Sequence, residues 1–82
     1  MIIKYPLSTE KSIRLMESEN KLVFVVDSKA TKPEIRKEIE ERFNAKVLSV
    51  NTQNDTKGRK KAFVKFSDET PAIDLATKLG LM

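Results

Sequence analysis

The amino-acid sequence predicts a single α+β domain over residues 1–82, in which an antiparallel or mixed four-stranded sheet is covered by helices on both faces. Residues 22–26 read Leu-Val-Phe-Val-Val, a continuous apolar run that is typical of a strand buried on both faces. A capping box followed by apolar residues at every fourth position indicates a helix. Two segments of alternating apolar and polar residues around a glycine turn indicate a hairpin. The predicted order of elements is β-α-β-α-β-β-α.

The first three elements are a strand, a helix and the central strand. Residues 2–5 are rich in β-forming side chains, and Pro6 can end a strand because it has no amide proton to donate. A helix can begin after Ser8 or Thr9, whose hydroxyls suit an N-cap, and it extends to about Glu19. The central strand described above follows at once.

The middle helix has the clearest start signal in the chain. Residues 31–34 read Thr-Lys-Pro-Glu, so the threonine hydroxyl and the glutamate carboxylate can each bind the backbone amide of the other residue. Pro33 suits the first turn, where its missing amide proton would have no partner. Ile35, Ile39 and Phe43 then recur at every fourth residue and form a narrow apolar stripe.

A hairpin and a short helix complete the domain. Residues 46–53 and 59–66 are predicted strands, joined by a turn in which Gly58 can adopt a positive φ. Thr70-Pro71 is a capping residue followed by proline and predicts the start of the last helix. We expect this helix to turn three apolar residues towards the core and to end at a glycine: Ile73, Ala76, Leu79 and Gly80.

The composition narrows the functional classes. The chain has no cysteine and no histidine, which excludes disulfides, Cys/His zinc sites and histidine-dependent acid–base chemistry. No apolar run approaches the roughly 20 residues that span a bilayer, so we expect a soluble, cytoplasmic protein without membrane contact. Sixteen basic and twelve acidic residues give a net charge of +4, which favours a polyanionic partner only weakly.

The sequence lacks the motifs of catalysis. The two glycines, Gly58 and Gly80, cannot form a glycine-rich phosphate loop. The serines and threonines have no histidine base, and the carboxylates of the middle helix are interspersed with cations as on a solvated face. The sequence therefore predicts no enzyme, no cofactor, no metal and no small-molecule substrate.

The basic segment from residue 56 to residue 67 is the strongest binding signal in the charge pattern. It contains five cations and no acid: Lys57, Arg59, Lys60, Lys61 and Lys65. Such a cluster can neutralise the phosphates of a nucleic acid, or it can be a solvated hairpin whose lysines discourage edge pairing. Phe63 lies among them and can either stack on a base or pack under a helix. Lys29 and Lys32, near the start of the middle helix, suit either an anion or simple solvation.

Four segments share their pattern with known proteins. They are Tyr-Pro-Leu-Ser-Thr-Glu-Lys at residues 5–11, Ala-Thr-Lys-Pro-Glu-Ile at 30–35, Val-Asn-Thr at 50–52 and Lys-Lys-Ala-Phe-Val-Lys at 60–65. In this order and spacing they resemble the universally distributed large-subunit ribosomal protein twenty-three family in its short archaeal form. The resemblance covers almost the whole chain. Phe66 departs from it, because leucine is usual at that position.

The resemblance implies a protein that binds large-subunit rRNA beside the polypeptide exit, next to another ribosomal protein and, transiently, the signal recognition particle. The protein should contact mostly phosphates and 2′-hydroxyls of the RNA, and it should recognise the shape of the RNA more than its base sequence. The positions that the resemblance implies are Lys11, Thr31, Lys32, Asn51, Thr52, Arg59, Lys60 and Lys61. Lys57 is added on charge alone. Only residues 53–58 join the hairpin strands, so the tunnel-lining role of the longer bacterial hairpin is not implied.

Glu10 lies in the Ser/Thr-Glu-Lys motif, at which a chaperone docks in bacterial relatives. In the archaeal form the resemblance implies that the signal recognition particle is received on this face instead. Glu10 is therefore a candidate docking residue. Its alternative role is that of a first-turn carboxylate favoured by the helix dipole.

Two other functions fit the fold class without the resemblance. A regulatory α+β domain for a small molecule would have an apolar pocket with a few convergent polar groups. A protein–protein adaptor would use an edge strand or a helix face, and its binding would survive the loss of Lys60 and Lys61.

Overall fold

The computed structural model describes residues 2–79 and has the predicted order of elements. The elements are β1 (Ile3–Pro6), α1 (Glu10–Glu19), β2 (Lys21–Val26), α2 (Lys32–Phe43), β3 (Val47–Asn54), β4 (Lys60–Phe66) and α3 (Ala72–Lys78). Most bounds differ from the predicted ones by no more than one residue. Among residues 2–79, no helix is both long and apolar enough to cross a membrane.

The four strands form one sheet in the order β1-β2-β4-β3, and every neighbouring pair is antiparallel. The antiparallel form of the predicted sheet is therefore confirmed. β2 and β4 lie at the centre, where residues 21–26 pair with residues 60–65. All five apolar residues of β2 are buried, as their continuous run predicted. β1 and β3 are the edge strands.

One face of the sheet carries the main hydrophobic core. Alternate residues of β2 and β4 point into it, and α2 and α3 pack against them. Ile35 and Ile39 of α2 are fully buried there. The ring of Phe43 stacks on that of Phe24, with a distance of 6.2 Å between the ring centres. The predicted apolar stripe of α2 thus covers this face, which we call the helix-covered face.

The opposite side of the sheet is covered only in part. Val23 and Val25 are buried on it, and Leu15 of α1 lies beside Val23. α1 also places Met16 in the main core, so this helix contributes to both sides. Among residues 2–79, helical cover on this side is limited to α1 and is narrower than predicted. The residues of β3 and β4 on this side, which we call the open face, are Ser49, Asn51, Gln53, Lys61, Phe63 and Lys65.

The predicted N-terminal caps of α1 and α2 are both formed. At α1 the cap is Thr9, whose hydroxyl accepts from the amide of Ser12 at 3.2 Å, while the Ser12 hydroxyl accepts from the amide of Thr9 at 2.8 Å. At α2 the Thr31 hydroxyl accepts from the amide of Glu34 at 3.4 Å, and the Glu34 carboxylate accepts from the amide of Thr31 at 3.0 Å. Short-range side-chain bonds therefore determine where both helices begin.

The inward side of α3 agrees with the prediction at Ala76 and Leu79 but not at Ile73. Pro71 occupies the N-cap position, so the helix starts one residue later than expected. The buried residues of α3 are Ala72, Leu75 and Ala76. Ile73 is turned away from this stripe and is 46% exposed, so its predicted inward position was wrong. Leu79 packs against the core as predicted, whereas the predicted end at Gly80 lies outside the described residues.

Asn20 joins three elements at one end of the sheet. It ends α1 with a left-handed backbone (φ 56°). Its side-chain nitrogen donates to the carbonyl oxygens of Phe66, Ser67 and Thr70 at 3.0, 3.1 and 3.3 Å. Its side-chain oxygen accepts from the amide of Ala72 at 2.6 Å. One side chain thus holds together the end of α1, the end of β4 and the start of α3.

Candidate nucleic-acid interface

Strand alternation divides the predicted RNA-binding residues between the two faces of the sheet. Neighbouring side chains of a strand point to opposite sides. Asn51 and Lys61 lie on the open face, whereas Thr52 and Lys60 point to the helix-covered face. The consecutive residues Asn51-Thr52 and Lys60-Lys61 therefore do not act as adjacent pairs on one flat surface.

On the helix-covered face, the predicted residues gather near the start of α2. The Lys60 ammonium donates to the carbonyl oxygen of Ala30 at 2.7 Å, directly before Thr31 and Lys32 in the chain. The Thr31 hydroxyl donates to the Glu34 carboxylate at 2.9 Å, and the hydroxyl and amide of Thr31 together lower the pKa of Glu34. Lys32 is exposed and, among the described residues, belongs to no ion pair. Its ammonium is available to an anion.

Asp55 organises the basic turn between β3 and β4. Its carboxylate accepts from the Arg59 guanidinium at 2.7 and 3.2 Å and lies 3.7 Å from the Lys61 ammonium. The amide of Lys57 also donates to it, at 3.3 Å, and Gly58 completes the turn with a φ of 83°. The Arg59 guanidinium, followed by the Lys57 amide, holds the pKa of Asp55 well below its usual range, so this acid stays charged.

The position of Asp55 changes the interpretation of the basic segment. This acid lies one position before the acid-free window and pairs with two of its five cations, Arg59 and Lys61. Arg59 also donates to the Tyr5 hydroxyl at 3.3 Å, which holds the turn against β1. Arg59 is therefore in part a structural residue of the turn. Lys57 and Lys65 are the exposed cations of the segment.

The open face carries a groove next to α1, which we call the Phe63 groove. It consists of two adjoining hollows, the larger with a volume of about 270 Å³. The residues that line both hollows are Lys11, Leu15, Gln53 and Phe63. Lys61 lines one of them and Asn51 the other. Three of the predicted RNA-binding residues, from α1, β3 and β4, are therefore brought together here.

The lysines around the Phe63 groove differ in their partners. Lys21 lies 3.4 Å from the carboxylate of Glu19, and Lys61 is held by Asp55. Lys11 is exposed and forms no ion pair within residues 2–79. An anion that approaches the groove therefore finds in Lys11 a cation that no acid neutralises.

Acidic side chains gather on a different side of the molecule, around Ile2. The charged residues that line two hollows there are Asp27, Lys29, Glu34, Lys37, Glu38 and Glu41. The Glu38 carboxylate accepts from the amide of Ile3 at 3.0 Å. In the part of the chain that the structure describes, no group of three acids is placed to hold a metal ion. Repulsion by these acids disfavours a polyanion within these two hollows.

Glu10, the predicted docking residue, is the first residue of α1 and is exposed. Its carboxylate accepts from the Arg14 guanidinium at 2.8 Å, and these two side chains are 81% and 76% exposed. Exposed pairs at this spacing contribute about 0.5 kcal/mol or less, so the carboxylate is available to a partner. Its position suits both a docking residue and a first-turn carboxylate.

Sequence patterns missed Gln53, Lys21 and Asp55 as residues of this interface. Gln53 had a usable signal, because it lies two positions after Asn51 in a strand and must share its face. Lys21 comes near the groove only through the pairing of β2 with β4. Asp55 lies one residue before the basic segment of residues 56–67, so the charge pattern of that segment gave no sign that an acid pairs with its cations.

Comparison with known proteins places the chain in a family. The profile of ribosomal protein L23 matches residues 1–76. Over 80 residues the chain is 48% identical to the large ribosomal subunit protein uL23 of Methanococcus vannielii, with 98% of this chain and 93% of that protein covered. The identity to uL23 of Methanococcus aeolicus is 44%, with the same coverage. The identity to uL23 of Tetrahymena thermophila is 43%, covering 99% of this chain and 54% of that protein. The resemblance seen in the four motifs is confirmed, and the chain belongs to the ribosomal protein L23 family.

Proposed function

We propose that the chain is a single rRNA-binding domain, which contacts large-subunit rRNA near the polypeptide exit site through its open face and basic turn. The RNA-binding residues of this proposal are Lys11, Thr31, Lys32, Asn51, Thr52, Lys57, Arg59, Lys60 and Lys61. A neighbouring ribosomal protein at the exit site is its second partner. Glu10, at the start of α1, belongs to a docking surface for the signal recognition particle.

Membership of the family makes the chain a structural, non-enzymatic constituent of the large ribosomal subunit. It is thus part of the ribonucleoprotein that carries out translation, and it is cytoplasmic as part of the ribosome. Its association is with rRNA and other ribosomal proteins. The open face is the surface proposed to meet the rRNA.

The observation that supports this surface most is the grouping of Lys11, Asn51 and Lys61 around the Phe63 groove. Lysines neutralise phosphates, and amide side chains can bond to 2′-hydroxyls and base edges. Thr52 lies on the edge strand β3 and Lys60 on its hairpin partner β4, and both point to the other side of the sheet. An RNA strand that wraps the β3 edge can therefore reach both groups.

The first experiment compares a folded fragment of large-subunit rRNA with a scrambled RNA of equal length, from about 50 to 200 mM salt. The native fragment should bind more tightly throughout. Each lysine–phosphate contact contributes about 0.7–0.9 to the slope of log affinity against log salt. The double variant Lys11→Ala, Lys61→Ala should therefore bind more weakly and with a flatter slope. Fluorescence anisotropy with labelled RNA measures both quantities.

The matched control is the double variant Lys37→Ala, Lys78→Ala, which removes the same charge from exposed lysines of α2 and α3. Its affinity should fall less, and its salt slope should stay close to that of the wild-type protein. Equal losses in the two double variants would mean that binding reflects net charge alone. Equal binding of native and scrambled RNA would refute the proposal and favour the adaptor function.

The hollows within residues 2–79 give no support to a small-molecule domain. They are surface grooves, and each has charged residues in its lining. A small-molecule site is usually concave and mostly apolar, with few polar groups. An adaptor could use the β3 edge, and the RNA-binding comparison above distinguishes that function from ours.

The docking part of the proposal has its own test. Glu10→Ala should weaken the binding of purified signal recognition particle to ribosomes that carry the variant, because one charge-assisted contact is lost. The Kd of the complex is expected to rise about tenfold. Co-sedimentation of the particle with ribosomes measures it. Glu17→Ala removes another exposed acid of α1 and is the control. Equal affinity in both variants would leave Glu10 as a first-turn carboxylate only.

A further inference from the structure

Phe63 lies in the middle of the open face, between an apolar neighbour on one strand and a polar neighbour on the other. In the register of the sheet it stands opposite Val23 of β2 and opposite Asn51 of β3. Val23 is buried and Asn51 is exposed, while Phe63 itself is half-buried. Phe63 is thus covered on the side of β2, while its exposed part lines the groove together with Leu15 of α1.

The polar groups around Phe63 are of two kinds. Asn51 and Gln53 carry amides that both donate and accept hydrogen bonds, and they share the open face because they are two positions apart in β3. Lys11 and Lys61 carry ammonium groups at the rim of the groove. With Lys21 as a third lysine in its lining, the groove combines an aromatic surface, two amides and three cations.

We propose that the Phe63 groove receives one unpaired base of the rRNA, which stacks on the ring of Phe63. The amides of Asn51 and Gln53 bond to the edge of the base, and Lys11 and Lys61 neutralise the adjacent phosphates. This inference rests on the proposed function. Stacking on an aromatic side chain accepts any base, because each base has a π-face. The amides add selection among bases, as is usual where proteins recognise unpaired nucleotides.

A protein side chain is the other class of occupant for such a groove, and its charge argues against it. Three lysines line the two hollows, namely Lys11, Lys21 and Lys61. Lysine is depleted at the cores of protein–protein interfaces. Phosphates flank every base of an RNA strand, so cations at the rim of an aromatic surface are complementary to a nucleotide.

The test is the variant Phe63→Leu, which keeps an apolar side chain but removes the π-surface. Its affinity for the folded rRNA fragment should fall about tenfold or more, as it does when one aromatic–base stack is lost. The salt slope should stay unchanged, because no cation is removed. The matched control is Phe43→Leu, which alters another half-buried phenylalanine on the helix-covered face and should keep wild-type affinity. Thermal melts followed by circular dichroism check that both variants are folded.

The outcomes separate the inference from the proposed function. Selective binding of native rRNA that is equally strong in the wild-type protein and in Phe63→Leu would overturn base stacking and leave the proposed function intact. A wild-type protein that does not prefer native rRNA would overturn both.

A second variant provides a direct signal from the groove. The chain has no tryptophan, so Phe63→Trp introduces a single indole fluorophore. Stacking of a base on the indole should quench its emission when the rRNA fragment is added, and the affinity should be retained. Unchanged emission at saturating rRNA would overturn the inference even if Phe63→Leu binds weakly.

Discussion

The Val64→Asp protein is expected to be unfolded at room temperature. Val64 is fully buried in β4, where it stands between Leu22 of β2 and Val50 of β3 and faces the main core. Aspartate is similar in size to valine, so the substitution tests the burial of an unpaired carboxylate rather than a change of volume. That burial costs about 4 kcal/mol or more. A chain of this length has roughly 4–12 kcal/mol of stability in total. Loss of the cooperative thermal transition in circular dichroism is the measurement.

The same substitution one strand away is the control for Val64→Asp. Val50 points to the same side of the sheet but is half-buried on the edge strand, where it lines a hollow with Lys32 and Arg36. A carboxylate at this position has water and two cations nearby, so Val50→Asp should cost only about 1 kcal/mol. A wild-type melting temperature in Val64→Asp would contradict the central position of β4.

The second large effect is expected for Asn20→Ala. The side chain of Asn20 contacts four backbone groups between Phe66 and Ala72. Its amide nitrogen shares two protons among three carbonyl oxygens, so the contacts amount to about three full hydrogen bonds of about 0.5–1.5 kcal/mol each. Alanine also pays about 1 kcal/mol for the left-handed backbone that asparagine tolerates. We expect the free energy of unfolding to fall by about 3–5 kcal/mol. Urea unfolding followed by circular dichroism, with an unchanged m-value, measures this loss.

Two variants separate the causes of that loss. Asn20→Gly relieves the backbone and should recover about 1 kcal/mol relative to Asn20→Ala. Asn44 ends α2 with a similar left-handed backbone (φ 50°), and within residues 2–79 its side chain makes no hydrogen bond. Asn44→Ala should therefore lower the free energy of unfolding only by the cost of holding alanine in the left-handed backbone conformation, about 1 kcal/mol. Equal losses in Asn20→Ala and Asn44→Ala would mean that the bonds of Asn20 contribute little.

The secondary structure was predictable because most of its causes are local. The Thr31 hydroxyl and the Glu34 carboxylate are three residues apart, so their box is visible in the sequence. The inward side of α3 was predicted correctly at Ala76 and Leu79, whereas Ile73 is exposed because the buried stripe of this helix runs through Ala72, Leu75 and Ala76. The pairing of β2 with β4 is not local, and neither strand carries a pattern that specifies its partner.

The sequence allowed single residues of the candidate site to be named, but it did not show which of them lie together on one surface. Lys60 and Lys61 point to opposite sides of the sheet because consecutive residues of a strand alternate. Which of the two reaches the open face depends on the pairing of β4 with β2, and that pairing is not visible in the sequence. The bonds of Asn20 depend on how α1, β4 and α3 converge, which no local pattern expresses. Asp55 acts through the shape of the turn, and charge counting alone gives it no such role.

The order β1-β2-β4-β3 also determines when this protein can fold during its own synthesis. Residues 21–26 find their central partner only after residues 60–65 have been made. Until then β2 is a strongly apolar strand with one edge unpaired, and such edges promote aggregation. Pairing between distant segments is also slow compared with helix formation. A nascent chain whose residues 60–66 are unmade or still inside the ribosome is therefore expected to need protection by chaperones, whereas a released chain that contains them can close its sheet unaided.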